Sequence, residues 1–143
     1  MNLKECFDKR LLRKTKPDTK KALQSLEVAR KKLVLAESAL NAELFEAYVV
    51  YGYTAMFHAA RALLFKDGVA EKSHVCTAIY LREKYAQVIP LGLINSLEVH
   101  RTERHEALYG LEFRIGKEDC EALLEDAKSF VEAVGKIIGA ENP

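Results

Sequence analysis

One stretch, Ala47 to His74 (AYVVYGYTAMFHAARALLFKDGVAEKSH), limits the chain's options more than any other. It reads as a helix apolar on almost every side, then a glycine turn, then a new helix start. A helix apolar all round belongs at the centre of a bundle, because none of its faces suits water. Tyr51, Tyr53, His58 and Arg61 lie inside it, and their polar atoms there need hydrogen-bond partners, water or a ligand. Any site of the protein is expected to be built on this scaffold.

The flanking segments carry helical periods. Ala22, Leu26, Ala29, Leu33, Ala36 and Leu40 alternate steps of four and three, predicting a helix over about 18–41 with Asp18 as its N-cap. Leu3, Phe7 and Leu11 predict a short helix before it, broken at Lys14-Thr15-Lys16-Pro17. The apolar helix, about 42–67, should stop at Asp67-Gly68, where glycine can adopt the left-handed conformation. Ser73 then caps a third long helix to about Gln87, and Pro90 starts a fourth. A last helix over about 117–138 places Leu123, Ala127, Phe130, Val134 and Ile137 on one side. No run alternates with period two, so no sheet is expected. Short connections between long amphipathic helices predict an all-α fold, an antiparallel up-and-down bundle of about five helices. At 143 residues the chain is expected to be a single domain over 1–143, with 1–16 a basic N-terminal arm holding the short helix.

Charge is unevenly spread. Residues 1–32 carry a formal +7 and the remainder −6. A basic front end can contact RNA or another phosphate-rich ligand, although clustered charge more commonly serves as a solvated helix face. Cys6, Cys76 and Cys120 are odd in number, far apart and in no CxxC pattern. That argues against a zinc site and a secreted disulfide framework, and makes a reducing cytoplasm the expected location. The N-terminus lacks an apolar signal core. Ala47–Phe65 contains Gly52, Thr54, His58 and Arg61, which favours a core helix over a bilayer span, so no membrane association is expected.

Gly-rich phosphate loops, HExxH and GxSxG are absent, which removes support for most familiar enzyme classes, and no cofactor or metal is expected. What remains is a polar run on the fourth long helix, His100-Arg101-Thr102-Glu103-Arg104-His105-Glu106-Ala107-Leu108-Tyr109. Arg101, His105 and Tyr109 are spaced four apart and share a face, with Arg104 at its border. Guanidiniums can hold a phosphodiester bidentately and imidazole can move protons near neutral pH. The plainer reading is ion pairing with Glu98, Glu103 or Glu106 on an exposed helix. His58 and Arg61 read as polar residues tying the central helix to its neighbours, or as lining of the same pocket as His74.

TAMFHAARALLFKDG, the following KSH, and RHEALYG some thirty residues later resemble the HEPN domain (higher eukaryotes and prokaryotes nucleotide-binding). The similarity runs from Lys16 to Gly139 and is greatest to small stand-alone prokaryotic members with a pattern near YYAMFHAARALL…G…KSH…R…ADYG. The resemblance implies an all-α antiparallel bundle, usually a homodimer, often encoded beside a minimal nucleotidyltransferase. In such pairs the HEPN protein is commonly the toxin and the nucleotidyltransferase its antitoxin. Active HEPN ribonucleases share an Arg-x(4–6)-His motif and cleave RNA without metal, with the 2′-hydroxyl as nucleophile. Here only three residues separate Arg101 from His105, and the better local match is Arg104-x4-Tyr109-Gly110, with Leu108 where Asp is usual. The expectation is a toxin of this kind, acting as a metal-independent endoribonuclease, with a catalytically silent nucleotide- or partner-binding module as the alternative. Arg101 and Arg104 would hold phosphate, and Arg104 and Tyr109 are expected to matter more than His105.

Overall fold

The computed structural model describes residues 1–141. Among them are α1 (Leu3–Asp8), β1 (Leu12–Lys14), α2 (Thr19–Asn41), α3 (Phe45–Asp67), β2 (Val69–Glu71), α4 (His74–Tyr85), α5 (Leu91–Tyr109) and α6 (Lys117–Glu141). Helices dominate, as the periodicities require. The caps fall where the sequence puts them. Asp18 accepts from Lys21 N at 2.9 Å, Ser73 accepts from Cys76 N at 3.1 Å, and Gly68 ends α3 with φ +76°.

The α2–α3 hairpin is the backbone of the bundle. The start of α2 meets the end of α3, where Asp18 N–H donates to Phe65 O at 2.8 Å. Alanines face one another along it: Ala22, Ala29 and Ala36 from α2, and Ala55, Ala59 and Ala62 from α3, all buried. Small side chains let two helix backbones approach closely, and here they do so over twenty-three residues each. α5 and α6 close the other sides of α3. Met56, Leu63, Ile94, Leu97, Phe130 and Val134 fill the main core, while Tyr48, Val49, Leu40, Cys120 and Leu124 form a second cluster toward the α2–α3 turn. The helix that is apolar all round therefore sits at the centre of the chain's own bundle.

Two expectations need correcting. A small antiparallel ladder joins β1 to β2, pairing Leu12 with Glu71, Arg13 with Ala70 and Lys14 with Val69. Each strand has three residues, too few for a period of two to register, and the pairing is fixed by tertiary neighbours. Thr15 N–H donates to Gly68 O at 2.8 Å, and Lys72 N–H to Leu11 O at 2.8 Å. The cysteines are not all unpaired either: Cys6 of α1 and Cys76 of α4 form a disulfide across seventy residues, both fully buried, leaving Cys120 as the free thiol. Spacing along the chain carries no trace of such a pair. No helix among the described residues is long and apolar enough to cross a membrane.

Candidate functional site

The central helix carries Tyr53, Phe57, Arg61 and Phe65 on one face at successive one-turn steps, because residues four apart share a helix face; Tyr53 is buried and the other three are half-buried. α4 begins beside this row, and the Ser73 cap sets His74 over it. The His74 ring lies 4.4 Å from that of Phe57 and 5.6 Å from that of Tyr53, with Nδ1 hydrogen-bonded to the Tyr53 hydroxyl. α5 closes the group from the other side. The Arg104 guanidinium lies over the Tyr53 ring, its Cζ 4.8 Å from the ring centre. Arg101 bonds to Glu98 through both Nε and Nη2 at 3.2 Å, and Arg61 pairs with Glu71 at 3.5 Å. Tyr53, His74 and Arg104 thus meet from three helices more than twenty residues apart in sequence.

The electrostatics follow from this packing. Three guanidiniums face two carboxylates, so the group carries a positive excess. Burial and then the Arg104 charge push the His74 pKa down, keeping the ring neutral at neutral pH. Burial raises the Tyr53 pKa, against a smaller opposing pull from Arg104 and Arg101, so the phenol keeps its proton. A neutral imidazole on a neutral phenol has two tautomers. With Nδ1–H donating to the phenol oxygen, Nε2 holds a lone pair and can accept a proton; with the phenol donating, Nε2–H can give one. Arg104 Nε and Glu98 Oε1 are buried without hydrogen-bond partners, as is Arg61 Nε apart from its ion pair. Buried polar atoms are nearly always satisfied, so the unpaired Arg104 Nε donor and the unpaired Glu98 Oε1 acceptor, both on α5, mark this as a polar group with unused hydrogen-bonding capacity.

The other residues singled out from the sequence are placed differently. His105 and Tyr109 pack against one another as tilted rings, centres 5.0 Å apart, on the exposed side of α5. Tyr109 is 70% exposed. Arg104 and Tyr109 are offset by about 140° around the helix at 100° per residue. His58 is half-buried, its ring edge-on to Phe57 at 6.0 Å and its carbonyl accepting from Ser25 Oγ at 2.7 Å. His100 points into the core, where its Nδ1–H donates to Ser96 O at 2.9 Å and its Nε2 accepts from Tyr48 Oη at 3.1 Å. The sequence offers Glu98 as an ion-pair partner and Tyr53 as a polar group in need of a partner, and the Arg101–Glu98 pair and Tyr53–His74 bond are where those needs are met; Phe57 and Glu71 are not singled out by it. The four-residue spacing of Tyr53, Phe57, Arg61 and Phe65 was the available signal, hidden because the whole helix is apolar. No group of three or more metal-ligating side chains occurs among the described residues.

The family model of the HEPN domain matches residues 22–137, a span that includes every residue of this cluster. No curated protein matches the chain.

Proposed function

The chain belongs to the HEPN domain family, and from that premise we propose that it is a ribonuclease toxin whose working group is Tyr53, His74, Arg101 and Arg104. The observation that carries the reading is the hydrogen-bonded Tyr53–His74 pair lying under the Arg104 guanidinium. The family's ribonuclease motif needs an arginine and a histidine together. On α5 the position five residues after Arg104 holds Tyr109 in place of a histidine, but α4 supplies His74 beside Tyr53 and Arg104 from another part of the chain.

In this reading Arg104 and Arg101 hold the non-bridging oxygens of an RNA phosphodiester, where the charge of the transition state builds up. Neutral His74 takes the proton of the ribose 2′-hydroxyl through Nε2 as that oxygen attacks phosphorus. The bond from phosphorus to the 5′-oxygen breaks, the leaving oxygen collects a proton from water or the phenol–imidazole pair, and a 2′,3′-cyclic phosphate remains. The residues named can carry out these steps by themselves. Cleavage is therefore expected to persist with a chelator present, and to stop when the nucleotide before the cut carries a 2′-deoxyribose. Persistence of cutting in 2′-deoxy substrates would reject the mechanism.

The biological frame we propose is a two-component module, in which a minimal nucleotidyltransferase restrains this protein. Expressed alone, the chain should slow growth, and the Arg104→Ala variant should not. A nucleotidyltransferase encoded beside it should restore growth. A second reading, a catalytically silent nucleotide- or partner-binding module, is favoured by one observation: exposed Tyr109 stands where the motif has its histidine. Binding of RNA without any cleavage by the intact protein would select it.

A further inference from the structure

The row that carries the candidate site does not stop there. Beyond Phe57 the Arg61 guanidinium lies 5.7 Å from the Phe57 ring centre and 5.2 Å from that of Phe65. Lys21, at the start of α2, places its ammonium 5.9 Å from the other end of the row, over Phe65. From Arg104 on Tyr53, through the neutral His74 ring on Phe57 and Arg61 between Phe57 and Phe65, to Lys21, three cations and an imidazole lie against the rings along one face. At 1.5 Å per residue Tyr53 to Phe65 spans about 18 Å. Structural packing alone would bury these rings, yet Phe57, Arg61 and Phe65 all keep part of their surface in contact with solvent.

We propose that this face is a track for single-stranded RNA, several nucleotides long, running from Arg104 along α3 to the basic start of α2. The inference rests on the reading of the Tyr53–His74–Arg104 group as an RNA site and extends it to the strand on one side of the cut. A guanidinium seated against a ring loses freedom to move, and its planar fork can hydrogen-bond a phosphate or lie against a base. Stacked nucleotides rise about 3.4 Å each, so the row matches about five of them, longer than any mononucleotide. Glu71 and Glu98 each cancel one arginine charge, but among the described residues no carboxylate pairs with Lys21 or Arg104. An acidic peptide would meet the same charges without using the planar faces, and is the outcome the experiment must separate.

The test measures binding, apart from cleavage, by fluorescence anisotropy. The probe is a 2′-O-methyl oligonucleotide of about twelve residues, within the usual site sizes, which has no free nucleophile. Lys21→Ala and Arg61→Ala should each weaken binding roughly three-fold or more and lower the log–log salt slope by about 0.7, the value for one single-strand phosphate contact. Lys136→Ala, an equal charge change on the exposed side of α6, should leave binding unchanged. An oligonucleotide of about three residues should bind more weakly, and a duplex or a polyglutamate of equal charge should compete poorly. The track is overturned if Lys21→Ala behaves like Lys136→Ala, if length makes no difference, or if polyglutamate competes as well as RNA. Lys21 is exposed, and an unchanged urea midpoint of its variant separates lost binding from lost stability. Wild-type protein that binds through the row but leaves RNA uncut would defeat the nuclease reading and keep the track; cutting that ignores Lys21 and Arg61 would do the reverse.

Discussion

Four imidazoles occupy four different environments, and three of them tie stability to pH. Burial leads the causes that push the His58, His74 and His100 pKa values below the ordinary imidazole range. The unfolded chain therefore takes up protons first as pH falls. Stability is fully present above about pH 6.5, the unperturbed value, and is lost as pH drops through the depressed native values. Urea midpoints should hold steady from mildly alkaline to neutral pH and decline below about 6.5; a midpoint that rises on acidification would contradict this. Within the core, Gly52 makes room for the Tyr48–His100 bond: a Cβ there would lie 2.9 Å from the Tyr48 hydroxyl and 3.3 Å from His100. Gly52→Ala should cost about 1–3 kcal/mol by chemical denaturation. A neutral effect would show that the pair shifts freely.

At the scale of elements, stability is concentrated in ends and links. Glu43 adopts φ +60° where α2 turns into α3, and Leu44 N–H donates back to Ala39 O at 2.8 Å. That is a left-handed helix stop of the kind glycine fills without steric cost, so Glu43→Gly should stabilise by roughly 0.5–1 kcal/mol. Gly68 is the opposite case. Its φ is +76°, and a Cβ would come within 2.6 Å of Thr15 O, so Gly68→Ala should loosen both the end of α3 and the short ladder. The Cys6–Cys76 bond closes a seventy-residue loop, and chain entropy alone makes it worth about 4 kcal/mol. Unfolding with and without dithiothreitol measures that directly. These features differ in how well the sequence announces them. Asp18, Ser73 and Gly68 could be read because capping chemistry is local. The ladder, the disulfide and the meeting of His74 with Arg104 depend on residues brought together by the bundle, and no local spacing encodes them. Tyr109 and His105 looked like site residues because they share a helix face with Arg101, yet only the tertiary neighbours decide which face of α5 is occupied.

The whole molecule leaves apolar surface on α4 and α5 without a covering element. Val75 and Val99 are more than two-fifths exposed, and Leu108, Tyr109 and Leu111 continue at the end of α5. Because α2, α5 and α6 already enclose α3, this outer surface, and not the central helix, is where we expect a second copy to dock. Sedimentation should give a dimer, and Val99→Glu should return it to a monomer; an unchanged dimer would move the interface elsewhere. The bundle brings His74 from α4 to Arg104 on α5, where we propose that the two act on RNA. Two histidines compared in one assay separate this site from the α5 surface: cleavage of single-stranded RNA by folded His74→Ala and His105→Ala proteins, with chelator present. His74→Ala should lose about 100-fold or more, the lower end of general acid–base effects, with His105→Ala close to the intact protein. Loss of cleavage in His105→Ala with full activity in His74→Ala would contradict the proposal.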